Sequence, residues 1–72
     1  MSRTLRTKEY GEIIEKLRQA RYDAGFTQVE VAKKLKRPQS YLSKVEAGEQ
    51  RLDILELKKF AELYKKDVGY FL

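Results

Sequence analysis

The stretch Thr27–Gly48, TQVEVAKKLKRPQSYLSKVEAG, leaves this chain the least freedom. It holds two helical patterns with only a tight, basic turn between them. In the first, Gln28–Leu35, the apolar Val31, Ala32 and Leu35 fall at i, i+1 and i+4 and so share one face. Thr27 with Glu30 three residues on is a capping box, in which hydroxyl and carboxylate each satisfy an orphan backbone N–H. The second pattern spans about 38–47. Pro38 suits a first helical position because it has no N–H to leave unpaired. Gly48 is the residue type that closes a helix in the left-handed conformation. Tyr41, Leu42 and Val45 make the inner face, while Gln39, Ser40, Ser43 and Lys44 make a polar outer face with donors and acceptors suited to base edges. The reading is helix, turn, helix.

The rest of the chain supplies helices to pack against that unit. Over Lys8–Ala24 the residues Tyr10, Ile13, Ile14, Leu17, Ala20 and Ala24 form an apolar stripe at helical spacing, with Glu12 and Lys16 as a surface pair opposite. Gly25 stops this helix and Phe26 follows as an apolar plug. Tyr10 and Tyr22 read as packing residues rather than stacking platforms. After Gly48, the Asp53 and Glu56 pair repeats the capping pattern, with Leu52 as the preceding staple. Leu57, Phe60, Ala61 and Tyr64 then form a buried face on a helix Ile54–Tyr64. Tyr70, Phe71 and Leu72 complete the core as a short fifth helix, form a dimer contact, or do both, because three apolar side chains left exposed there would be a liability. Met1–Thr7, with Arg3 and Arg6, is either a basic arm touching DNA or a frayed terminus.

Charge is unevenly placed. Residues 49–72 balance five basic against five acidic side chains, whereas residues 1–48 hold eleven basic and six acidic and so carry the whole net charge of +5. Between Val31 and Val45 stand Lys33, Lys34, Lys36, Arg37 and Lys44 with no acidic residue. This clustering is the footprint of a phosphate-binding face rather than of an evenly solvated lysine surface. Lys33, Lys34, Lys36 and Arg37 are too many to reach bases together, so they are assigned to phosphates.

Composition excludes other chemistry. The chain has no cysteine and no histidine, which removes disulfides, thiolate metal sites and the commonest general base. No metal, cofactor or small-molecule ligand is called for, and an enzyme is not expected. No apolar run reaches the length of a membrane span and the start lacks the apolar core of a signal peptide, so a cytoplasmic, nucleoid-associated protein is expected. Glu46, beside the apolar Val45, needs a cationic partner, and Arg21 is the candidate.

With these residues in view, the chain resembles the Cro/repressor-type (XRE-like) helix–turn–helix family, which includes phage lambda repressor DNA-binding domains. The carriers are AGFTQVEVAKKL, SYLSKVEAGEQRLD and the closing DVGYFL, so the likeness runs over about residues 14–72. It implies an all-α, compact five-helix bundle at residues 8–72, following a basic arm at 1–7. It also implies binding to operator DNA, usually as a homodimer on a palindromic site. Gln28 matches the family's phosphate-contacting glutamine, Gln39, Ser40 and Lys44 match positions facing base edges, and Arg21–Glu46 matches a salt bridge behind the recognition helix. Ala32 matches a small residue where the two helices approach closely. Lys36 stands where many members place glycine, so a slightly different turn is expected there, and Lys65 similarly replaces a helix-ending glycine.

The function expected is a sequence-specific double-stranded DNA-binding regulator, most simply a repressor. The alternatives are an antitoxin or restriction–modification controller with the same DNA-binding mode, or a protein–protein adaptor on the same fold. A dimer is expected from need, since one short recognition helix contacts few base pairs, with Tyr70, Phe71 and Leu72 as its interface.

Overall fold

The computed structural model describes residues 7–72 as five helices, with no strand among them. They are α1 (Lys8–Ala24), α2 (Gln28–Leu35), α3 (Gln39–Glu46), α4 (Ile54–Tyr64) and α5 (Val68–Phe71). The basic-arm assignment falls on residues 1–6, outside the described residues. Thr7 belongs to the bundle, because its hydroxyl caps α1 by accepting the Tyr10 N–H at 3.1 Å.

Each helix starts and stops where local chemistry directs. Thr27 and Glu30 exchange both capping-box bonds, the Glu30 N–H to Thr27 Oγ1 at 3.1 Å and the Thr27 N–H to Glu30 Oε1 at 2.8 Å. Asp53 and Glu56 repeat the arrangement on α4. Gly25 closes α1 at φ 78°, where an L side chain is strained. Gly48 is left-handed as well, at φ 77°, but α3 itself ends at Glu46.

Two expectations about the turns change. Pro38 is the N-cap of α3 rather than its first helical residue, because its backbone is extended (φ −67°, ψ 155°). The Pro38 carbonyl nonetheless accepts the Tyr41 N–H at 3.0 Å and opens the helix. Lys36 does not alter the turn. It adopts φ 59°, and the Arg37 N–H reaches Ala32 O at 2.9 Å, as a glycine would permit more cheaply. Lys65 does the same at φ 58°.

The core is filled from all five helices. Leu17, Val31, Leu42, Val45, Phe60 and Phe71 are its largest fully buried side chains. Along one side runs a chain of rings, Phe26 to Tyr64 at 6.5 Å, Tyr64 to Phe60 at 5.9 Å and Phe60 to Tyr41 at 6.5 Å. Leu57, Phe60, Ala61 and Tyr64 are the buried face of α4, as their spacing requires.

Three side chains depart from the pattern. Ala24 is exposed, since the chain reverses at Gly25 and Phe26 packs on Tyr64 instead. Tyr22 is not a core residue either; it is exposed, and the Arg21 guanidinium lies 4.7 Å from its ring. Lys16 forms no ion pair with Glu12 but lies 6.0 Å from the Tyr70 ring.

Candidate nucleic-acid interface

The polar ridge of α3 is presented outward by the burial of its opposite side. Tyr41, Leu42 and Val45 anchor the helix in the core, which leaves Gln39, Ser40, Ser43 and Lys44 exposed together on one surface. Lys33, Lys34, Lys36 and Arg37, which precede that ridge in the chain, are exposed too. The residues assigned from sequence to bases and the four cations assigned to phosphates are therefore all exposed, while Gln28 is half-buried.

Behind the ridge, one carboxylate joins three helices. Glu46, at 5% exposure, accepts Arg21 Nε at 2.7 Å on one oxygen and Arg21 Nη2 at 3.0 Å on the other. This bidentate geometry is the strong form of the pairing. The contact raises the Arg21 pKa, chiefly through the hydrogen bond to Glu46 and against the opposing effect of burial. Arg21 Nη1 also donates to Phe26 O at 3.0 Å, fixing the turn into α2.

The same carboxylate holds the start of α2. Gln28 Nε2 donates to Glu46 Oε1 at 3.0 Å, and Gln39 Nε2 reaches Gln28 Oε1 at 3.5 Å. Gln28 is thus tied to the recognition helix while remaining half-buried at a helix N-terminus, where free N–H groups and the dipole favour an anion. Arg18 adds a link that sequence reading missed: its Nη1 donates to the Glu46 carbonyl at 2.9 Å. Its place four residues after the buried Ile14 was the available signal.

The basic side chains are not equivalent. Lys34 Nζ sits 5.3 Å from the Phe26 ring. Arg37 lies over the Tyr41 ring at 4.4 Å and pairs with Glu56 Oε2 at 3.5 Å. Lys33 and Lys36 make no ion pair among the described residues. Tyr41 also donates its hydroxyl to Glu56 Oε2 at 3.2 Å, and burial, then the Glu56 charge, pushes its pKa up to about 12. Glu56 was recognisable as a cap; its second oxygen was not, because that contact depends on how α4 meets α3.

Two further features frame the face. Tyr10 donates its hydroxyl to Gln50 O at 3.0 Å and accepts the Leu52 N–H at 3.2 Å, which pins the α3–α4 loop to α1. At the C-terminus Phe71 is only 1% exposed and belongs to this chain's own core, leaving it no surface for a second copy. Tyr70 and Leu72 stay exposed, as do Ile54 and Leu55 at the start of α4. No described helix is long and apolar enough to cross a membrane.

The chain matches a family described as helix-turn-helix over residues 14–71. It is also similar to a solved structure of an XRE-family like protein from Pseudomonas syringae pv. tomato str. DC3000. That likeness has 40% sequence identity and a TM-score of 0.81, over 88% of this chain and 77% of the other. No curated protein matches the chain.

Proposed function

We propose that this chain, which belongs to the XRE-type helix–turn–helix family of DNA-binding regulators, is a sequence-specific repressor that binds a palindromic operator as a homodimer. The observation that carries this is the exposed ridge Gln39, Ser40, Ser43 and Lys44, preceded in the chain by four exposed cations and braced from behind by the buried Arg21–Glu46 pair. A rigid helix with a polar outer row is what direct readout in a major groove requires. In this reading Gln39 bonds to adenine N6 and N7, Lys44 donates to guanine O6 and N7, and Ser40 and Ser43 fill in with less discrimination. Gln28, Lys33, Lys34, Lys36 and Arg37 contact phosphates and set the register.

Repression needs occupancy of a promoter and nothing more, so the reading includes no enzymatic step, cofactor or inducer. It places the protein in the cytoplasm with the nucleoid. For the dimer, Phe71 is buried and offers no contact, so Tyr70 and Leu72 supply the interface together with the exposed Ile54 and Leu55. Apolar residues of this size on one small domain are well served by a second copy.

The test is selection from a randomised duplex pool at near-physiological salt, with sequencing of the bound fraction. An enriched inverted repeat with half-sites about one helical turn apart supports the dimeric, sequence-specific reading. Binding without enrichment makes the protein a non-specific DNA coater. No binding favours an adaptor role on the same fold.

A further inference from the structure

The turn cation Arg37 is already engaged inside the protein. Its guanidinium covers the Tyr41 ring at 4.4 Å and its Nη2 lies 3.5 Å from Glu56 Oε2. The pair is long, and the Arg37 side chain is 48% exposed, so the contact is of the weak, exchangeable kind. The cleft that Arg37 lines with Tyr41, Glu56 and Lys59 has a volume of about 30 Å³, too small for a ligand.

Glu56 is better held than Arg37. Its Oε1 accepts the Asp53 N–H at 2.9 Å, completing the α4 cap, and its Oε2 accepts the Tyr41 hydroxyl at 3.2 Å. Losing Arg37 would leave that carboxylate with both remaining partners and with the Lys59 side chain lining the same cleft. Arg37, once released, has the reach of a long, half-exposed side chain beside Lys36 and the start of the recognition ridge. The asymmetry is that one partner is fixed and the other is free to leave.

We infer that Glu56 is an internal competitor of DNA phosphate for Arg37, a positioning residue that holds the guanidinium on Tyr41 in the free protein and yields it to the backbone on binding. The inference rests on the DNA-binding reading above. It deepens that reading by giving α4 a part in setting the affinity of the turn. Glu56 lowers affinity for every sequence alike, because what it competes with carries no base information.

The test is a double-mutant cycle of Glu56→Gln and Arg37→Gln, with affinity for a mixed-sequence duplex of two helical turns measured over a salt series. Glutamine keeps an oxygen for the Asp53 N–H, and thermal melts confirm folding of all four proteins. Glu56→Gln is expected to tighten binding about two- to fivefold with no change in the salt slope. Arg37→Gln is expected to weaken binding and flatten the slope by about 0.9, one phosphate contact. In the Arg37→Gln background, Glu56→Gln is expected to have no effect. Equal tightening in both backgrounds would mean bulk charge alone and would overturn the inference, as would an unchanged slope in Arg37→Gln. If none of the four proteins, wild type included, binds duplex even at low salt, the DNA-binding reading itself fails, and that pattern is distinct from the other two.

Discussion

Gln28 Nε2 donates to Glu46 Oε1 at 3.0 Å, so the residue that opens α2 shares a carboxylate with Arg21 of α1. One oxygen thereby fixes the α2 N-terminus against the recognition helix, and a second fixes α1 through Arg21 Nε at 2.7 Å. The proposed DNA-binding face is thus braced from behind by a buried charge.

Removing that charge is expected to cost more than the pair itself contributes. Arg21 and Glu46 have side-chain exposures of 9% and 5%, and Glu46→Gln would leave the guanidinium desolvated with its strong acceptor gone. Urea denaturation should show a loss of about 3–5 kcal/mol, severe for a domain of this size. A loss below 1 kcal/mol would show that the network is not structurally important.

Much of this was legible in the chain. The capping boxes at Thr27 and Asp53 and the buried face of α4 follow from spacing, because each depends on neighbours about one helical turn apart. The Arg21–Glu46 pair came instead from a carboxylate lacking a counter-charge and from the family resemblance. What was not legible depends on how separate helices meet. The second oxygen of Glu56 and the hydroxyl clamp of Tyr10 on the α3–α4 loop have no short-range signal. Lys36 misled for a different reason: family glycine suggested a changed turn, yet the fold imposes φ 59° on lysine and bears the strain.

That strain gives a prediction with two signs. Lys36→Gly should stabilise the fold by up to about 1 kcal/mol, since glycine enters the left-handed region without a Cβ penalty. The same change should weaken DNA binding and flatten the salt slope if Lys36 reaches phosphate. Lys65→Gly, at φ 58° at the end of α4, should stabilise similarly and leave DNA affinity alone. Melting curves and salt-dependent binding on the two variants separate strain from phosphate contact.

Among the described residues, the hydroxyl of Tyr64 is buried without a hydrogen-bond partner. Tyr64→Phe keeps the ring contacts with Phe26 and Phe60 and removes a group that is desolvated for no return. Its stability should equal or exceed that of wild type, by up to about 1 kcal/mol. A loss of more than 1 kcal/mol in denaturation would mean that the hydroxyl has a partner after all.

Alkaline stability should report the buried tyrosines. Burial raises the pKa values of Tyr41, to about 12, and of Tyr64 above the ordinary value of 10.0. Above pH 10 the unfolded chain has lost these protons and the folded one keeps them, so folding stability falls as pH rises. The contribution is fully present below pH 10 and is lost as pH climbs towards 12 and beyond. The slope should approach about 1.4 kcal/mol per pH unit for each tyrosine concerned. Denaturation between pH 9 and pH 11 should show this fall in wild type and a shallower one in Tyr41→Phe.

The recognition ridge and its cations should fail in different ways when truncated. Gln39→Ala removes a bidentate donor and acceptor, so it should lose discrimination at one base pair, at a cost of about 1–3 kcal/mol there, while other positions keep their preferences. Lys33→Ala removes a cation that makes no ion pair among the described residues, so it should weaken all sequences alike and flatten the salt slope by about 0.9. Competition binding against single-base variants of the selected site, repeated at two salt concentrations, distinguishes these outcomes. If both substitutions weakened every sequence equally, Gln39 would be a positioning contact and the readout would have to lie with Lys44 and the two serines.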